Sequence, residues 1–542
     1  MKRLAAILLI ALMLVSLATG CTKTPPKTLP TIKLIYNTSS GHQLIAETVQ
    51  NMWKEKLGLE VTLENQEWAV FQETRNQGDF QIARHGWLGD YTDPMTFLDM
   101  WMSTSGQNDA NWKNTEFDNL IKTAKESNDQ AVRMKAMHDA EKLLMTDLAI
   151  IPVYYYTNVW LDNKLVKNYV HDALLGHMMF TWATKEGDAP ILYHLGATPA
   201  SLDPQLNNAT DGATVIQHAF VGLTMKNDKN EIVPAVAKDW TVSADGLTWT
   251  FNLRDDALWS DGKPVKAQDF VYAWQRAVDP ETEAEYAYQA WYIKNGEKIS
   301  MGEAAVDTLG VKAINDKTLE VVLESPTAYF TQLTAFPTLF PVREDIVKAN
   351  PTGWANDPAT LICNGPYKMT KFEIKNEIVL EKNDKFFGAA GLPGKKLVFK
   401  LTDDDASALA AFKTGELDIC ESFPSEEVAA MKAAGNFNVQ PIIGTYFFCV
   451  NVEAKDGNPD ILLNAKFRKA LALAIDRDYV IEVVQNNALP AYAFVPKGMA
   501  DADGNDFREN AGNLFGNGDY AKDVEEARKL ITELGYAVPA AK

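Results

Sequence analysis

Cysteine is scarce. Four occur in 542 residues, at 21, 363, 420 and 449, and no Cys-x-x-Cys pair is among them. That spacing argues against a structural zinc site. If Cys21 is modified, three cysteines are left, and an odd number argues against a disulfide framework. Histidine is almost as rare: the seven lie at 42, 85, 138, 171, 177, 194 and 218, with no pair at the i, i+4 spacing of a zinc helix. Neither a Gly-x-Ser-x-Gly elbow nor a phosphate-binding Gly-x-x-x-x-Gly-Lys loop occurs, so nucleophilic hydrolysis and nucleotide chemistry lack their local signatures. Positive charge is in deficit, with 52 Lys and Arg against 72 Asp and Glu, a net charge of -20. Such a surface repels phosphate backbones and anionic headgroups, which argues against a nucleic-acid partner. After residue 21 no apolar run reaches the ~18 residues that span a bilayer, and no fixed-period repeat appears.

What is present begins with an address. Lys2 and Arg3 precede "LAAILLIALMLVSLATG", which stops at Cys21 and gives way to "TKTPPKT". A positive n-region followed by an apolar h-region reads as a signal peptide over 1–20. Its "ATGC" ending resembles a bacterial lipobox, in which the Cys21 thiol accepts a lipid and 21–29 becomes a lipidated linker. An uncleaved signal anchor, or an ordinary signal with a chance cysteine, is the alternative. Under each of these the body lies outside the cytoplasm.

The whole chain is 46% hydrophobic, and its body is long enough for several cores. "IKLIY" (32–36) reads as a strand; Ile45, Val49, Met52 and Trp53 recur at helical spacing until Gly58; "LEVTL" (59–63) is a second strand. This strand–helix–strand unit belongs to a largely parallel sheet with covered faces. Helices are expected near 115–125 and 129–146, strands over 150–161 and 377–382, and a further helix over 463–475. Between about 221 and 343 the texture changes to hairpins and one firm helix, as where Trp249, Phe251 and Leu253 alternate with polar residues.

One stretch, "RHGWLGDYTDP" at 84–94, concentrates chemistry. Arg84 and Asp90 either neutralise one another or are held apart to grip opposite ends of a zwitterion. Asp90 with Asp93 is also a formal acid/base pair for a glycan, although two aspartates in such a turn more often cap it. Thirteen tryptophans and eighteen tyrosines serve cores first and ligand clefts second.

"LENQEW" (63–68), "ETRNQGDFQIARHGWLGDYTDPMTFL" (73–98), "PAVAKDWTVSADGLTWTFNLRDDALWSDGKPVKAQDFVYAWQRAVDP" (234–280), "NGPYKM" (364–369) and "ALAIDRDYV" together resemble the oligopeptide-binding proteins of ABC peptide importers, extracellular solute-binding protein family 5. The resemblance covers nearly everything after residue 30. It departs in order: "LGATPASLDP" (195–204) opens the mature relatives, whereas the segment at 30–185 closes them. Here "ARKLITELGYAVPAAK" would run on into "LPTIKLIYNTSSGH" (29–42), so the chain looks circularly permuted, with a polar join near 183–190.

The resemblance implies an α/β, periplasmic-binding-protein-like fold of class II type. Two lobes with a hinge are expected from 30–156 with 446–542 and from 157–220 with 344–445, plus an extra α+β domain over 221–343. It implies a non-enzymatic extracytoplasmic receptor, membrane-anchored or periplasmic, that is monomeric, uses no cofactor and metal, and hands oligopeptides to an ABC permease. Asp90 matches the carboxylate that holds the peptide's α-ammonium, with backbone contacts from Trp87 and Gly89. Arg75, Arg84 and His42 match groups that meet the peptide carboxylate. Trp68, Trp87, Tyr286 and Tyr446 match aromatic walls of the side-chain pockets. Two positions depart: Gln485 stands where relatives have a lysine suited to short peptides, and Asn208 replaces an acidic residue. Ligands of three or more residues are therefore expected. A receptor for a metal chelate or oligosaccharide, or an extracytoplasmic hydrolase, is the alternative.

Overall fold

The structure, a computed structural model, describes residues 26–540 apart from 173, 175 and 328; the signal segment and Cys21 lie outside the described residues. Along the chain come β1 (Ile32–Asn37), α1 (Ser40–Leu57), β2 (Val61–Gln66), α2 (Trp68–Asn76), β3 (Ile82–Leu88), α3 (Thr115–Glu126), α4 (Gln130–Asp147) and the long β4 (Ile150–Asp162). They are followed by β5 (Ile191–Gly196), α5 (Thr210–Ala219), β6 (Ala237–Val242), β7 (Thr248–Leu253), α6 (Ala267–Val278), β8 (Val311–Asn315) and β9 (Thr318–Val322). The last third contains β10 (Tyr367–Glu373), β11 (Glu377–Lys382), β12 (Lys396–Leu401), α7 (Asp405–Thr414), β13 (Ile419–Cys420), β14 (Phe437–Val450), α8 (Ala465–Leu473), α9 (Arg477–Val484) and α10 (Tyr520–Glu533).

The expected strand–helix–strand unit is there. β1 pairs with β2 in parallel, Ile32 opposite Val61. The apolar stripe of α1 buries Ile45, Val49, Met52 and Trp53, and Gly58 ends the helix at φ 74°, where its amide donates to the Lys54 carbonyl and the next amide, of Leu59, to the Trp53 carbonyl. Trp53 is fully buried and its indole N–H donates to the Leu471 carbonyl of α8 at 2.9 Å. α3 and α4 start where expected because Asn114 and Asp129 accept hydrogen bonds from the first-turn amides.

The main sheet has 11 strands in the order β10-β11-β12-β5-β13-β4-β14-β3-β1-β2, with Leu489–Pro490 added on β4. It falls into two halves that share β4 and β14. Those two strands pair from Phe437↔Leu161 to Pro441↔Thr157 and again from Thr445↔Tyr155 to Cys449↔Ile150, with the ladder interrupted between. Near the start of β4 the half containing β3, β1 and β2 is attached, and near its end the half containing β13 and β5. A separate antiparallel sheet, β6-β7-β9-β8, packs with α6 in the 237–322 region.

The first and last described segments adjoin. The Lys27 amide donates to the Gly535 carbonyl and the Ala537 amide to the Lys27 carbonyl, both at 2.9 Å. Arg528 reaches the Lys56 carbonyl at 2.8 Å. Among the described residues no helix is long and apolar enough to cross a membrane.

Candidate functional site

Between the halves of the main sheet lies a cavity of about 540 Å³, within the range of roughly 300–1,000 Å³ usual for ligand pockets. Two strand edges reach it. β3 is flanked by β14 along its whole length, but β1 pairs with it only at Ile82 and Ala83. From Arg84 to Leu88 its other edge has no strand partner among the described residues. Across the cavity β5 is paired with β12 to Gly196, whereas β13 touches it only at Tyr193. Arg84 to Leu88 and His194 to Gly196 line the cavity. Unpaired strand edges present backbone donors and acceptors to an extended chain. A Cβ at Gly86 would collide with the Tyr156 hydroxyl, so any larger residue there would have to displace the Tyr156 ring.

Asp90 lines the cavity and is buried, at 6% exposure. Its Oδ2 accepts from Gln289 Nε2 at 2.7 Å, its Oδ1 lies 3.5 Å from the Tyr286 hydroxyl, and its amide donates to Thr96 Oγ1 at 2.9 Å. No lysine, arginine or histidine among the described residues pairs with it. Burial pushes its carboxyl well above the usual range, with nearby Asp99 adding to the shift and the Gln289 and Tyr286 hydrogen bonds opposing it. An incoming ammonium would restore the ionised form.

Arg84 is likewise without a carboxylate. It donates to Asn37 Oδ1 at 3.3 Å and to the Tyr156 hydroxyl at 3.1 Å, and its guanidinium lies 5.2 Å from the centre of the Tyr446 ring. Among the described residues, Arg84 thus lines the cavity as a cation without a carboxylate partner, and Asp90, on the turn after the same strand, as a buried carboxyl without a cationic one.

The other expected residues divide. Trp87 lines the cavity, is anchored through its indole to the Thr96 carbonyl at 2.8 Å, and stacks on Tyr286 at 5.9 Å. Trp68 lines it and donates to Asp211 Oδ2 at 3.0 Å. Arg75 lines it but is neutralised by Asp109 at 3.3 Å, which His85 also contacts at 3.1 Å. His42 lines it as a neutral ring, because burial and the Arg84 charge hold its pKa well below 6.5. Asn208 accepts from Gln72 at 2.9 Å and donates to Glu285 at 2.7 Å.

Three expectations need correction. Gly89 does not line the cavity, and its amide is consumed by the Ile443 carbonyl at 2.8 Å. Tyr446 is fully buried, stacks on Tyr154 at 4.7 Å and backs Arg84 from beneath instead of forming a wall. Gln485 is exposed: it ends α9 in a left-handed turn at φ 54°, and the next residue, Asn486, lines the cavity in its place. Asp93 is also settled. It is clasped by Arg133 at 3.0 and 3.1 Å and caps the Met95 amide at 3.0 Å, so it is a structural ion pair and no partner for Asp90 in acid/base work.

Residues that sequence reasoning missed come mostly from the opposite wall: Asp211, Tyr193, His194 and Glu421, with Tyr154 and Tyr156 from β4. Hydrogen bonds also join the halves. Ser40 N donates to Asp405 Oδ2 at 2.9 Å, Trp68 to Asp211, and Gln72 to Asn208.

Two sheet halves that share a pair of strands and enclose a ligand-sized cavity with open strand edges define a mixed α/β binding protein of the cleft type. The chain belongs to the bacterial extracellular solute-binding proteins, family 5, whose model matches residues 16–109 and 231–541. It is 37% identical over 357 residues to the oligopeptide-binding protein OppA of Bacillus subtilis, covering 65% of this chain and 64% of that protein. It is 36% identical over 311 residues to the periplasmic murein peptide-binding protein MppA of Escherichia coli, covering 56% of each. The match thus spans under two thirds of the length of these relatives. Among solved structures, Listeria monocytogenes OppA bound to peptide aligns with TM-score 0.59 and 29% identity over 65% of this chain and 70% of that one. The murein tripeptide binding protein MppA of E. coli aligns with TM-score 0.55 and 30% identity, covering 64% and 67%.

Proposed function

We propose that this chain is the extracytoplasmic receptor of an ABC peptide importer, a lipoprotein anchored through Cys21 that captures extended oligopeptides and delivers them, as a monomer, to a permease. The observation that carries the reading is Asp90, a buried carboxyl in the cavity whose side-chain partners among the described residues are the neutral Gln289 and Tyr286. It receives the peptide's α-ammonium, Arg84 meets the carboxylate, and the free edges of β3 and β5 pair with the backbone between them. The three relatives named above for binding peptides, the two OppA proteins and MppA, support the ligand class. A family made up of solute-binding proteins supports a receptor that releases its ligand unaltered.

In this reading the lobes are 30–156 with 446–542 and 157–220 with 344–445, the extra domain is 221–343, and the interrupted ladder between β4 and β14 is the hinge. The circularly permuted order draws support from the family match in two pieces and from the adjacency of Lys27 and Gly535. With Gln485 exposed and Asn486 in its place, no lysine among the described residues lines the cavity, in keeping with ligands of three or more residues. Mass spectrometry of what co-purifies, with thermal stabilisation by a mixed tripeptide library, tests the reading: peptides bound and a raised melting temperature are expected, and neither would be seen for a receptor of another solute.

A further inference from the structure

A zwitterionic peptide backbone accounts for two charges in the cavity, Asp90 and Arg84. It does not account for the rest. Arg75 is cancelled by Asp109, and the lining histidines His42, His85, His177 and His194 all have pKa values lowered by burial, so they are neutral near pH 7. Asp211 and Glu421 also line the cavity, and among the described residues neither has an ion-pair partner. In each carboxylate one oxygen, Asp211 Oδ1 and Glu421 Oε1, is buried without a hydrogen-bond partner. Buried acceptors are rarely left unfilled.

A third unfilled acceptor sits with Asp211. Gln72, only 3% exposed and lining the cavity, commits its amide N–H to Asn208 and leaves Oε1 without a partner. Trp68 and Gln72 are four residues apart on α2 and so share one face. That face meets Asn208 and Asp211, at the start of α5, through the two hydrogen bonds already described. Three vacant acceptors, two of them carboxylate oxygens, call for a group with several N–H donors and a positive charge.

Resting on the peptide reading above, we propose that the cleft selects peptides bearing a cationic side chain, held by Asp211 and Gln72 at the seam between the halves, with Glu421 as a second carboxylate for a lysine or arginine. Burial lifts Asp211 to about 6 and Glu421 to about 7, so a cation entering near neutral pH meets carboxyls that it draws fully into the ionised form. A peptide with an acidic side chain would add a like charge to the same wall and is disfavoured.

The test is calorimetry with alanine tripeptides in which each position in turn carries lysine, norleucine or glutamate. Norleucine keeps the alkyl stem and removes the charge. At one position or more, lysine is expected to bind at least about tenfold tighter than norleucine, with glutamate weakest. That lysine-to-norleucine ratio is expected to fall toward one in Asp211→Asn or Glu421→Gln. If a variant does not fold, the wild-type ratio at low and high ionic strength serves instead, and it should shrink with salt. Equal binding of lysine and norleucine at every position overturns the inference while leaving the peptide reading intact, as does a ratio untouched in the double variant. Failure of every tripeptide to bind overturns both.

Discussion

Arg84 and Asp90, six residues apart, both reach the cavity and do not pair with each other. Arg84 is satisfied by Asn37 and Tyr156, Asp90 by Gln289 and Tyr286. In the proposed reading an acid and a cation kept separate in one cavity receive the two ends of a zwitterion, the ammonium drawing Asp90 into its ionised form. Replacing Asp90 by Asn keeps the shape and removes the charge. Calorimetry with a bound tripeptide should show a loss of about 2–5 kcal/mol.

Arg84 should register the other end of the ligand. Wild-type protein is expected to bind a free-acid tripeptide more tightly than its C-terminal amide, by about 1.5–3 kcal/mol, the range for a hydrogen bond to a charged group. In Arg84→Met the two forms should bind alike, as competition against a labelled peptide would reveal.

Arg75 should behave differently, although it lines the same cavity. Its guanidinium is spent on buried Asp109. Arg75→Ala leaves that carboxylate with only the His85 ring beside it, which burial keeps neutral near pH 7, and is expected to cost about 3–5 kcal/mol of stability in denaturant unfolding. The preference for free acid over amide should survive in what folds.

Glu421 supplies a pH signature. Its pKa is raised by burial from 4.5 to about 7. A carboxyl raised in the folded state stabilises the fold below the unfolded value, and that stability is lost as pH rises through the folded one. Glu421→Gln should therefore gain on wild type between pH 5 and pH 8 in unliganded thermal melts. The gap should narrow when a lysine-bearing peptide is bound.

How much of this could be read in the chain depends on distance. Local patterns carried the β1–α1–β2 unit, since apolar spacing and Gly58 act within one element. The caps of α3 and α4 were local as well. The charged turn at 84–94 was visible as a concentration of unusual residues, but whether Arg84 and Asp90 pair depends on Asn37, Tyr156 and Gln289, which folding brings from far along the chain. Asp211 and Glu421 had no local mark: an aspartate in a first helical turn is ordinary. Tyr446 misled because β14 is buried on both faces from Gly444 to Val450, so alternation does not tell a wall from a core. Gln485 misled because a single left-handed residue decides which of two neighbours turns inward.

The measurement that bears most directly on the account is calorimetric titration with one tripeptide in two forms, free and N-acetylated. Acetylation removes the ammonium and leaves the backbone, side chains and carboxylate in place. The free form should bind and the acetylated form should lose about 2–5 kcal/mol, a difference that disappears in Asp90→Asn. Equal affinity of the two forms for the wild-type protein would contradict the role given to Asp90.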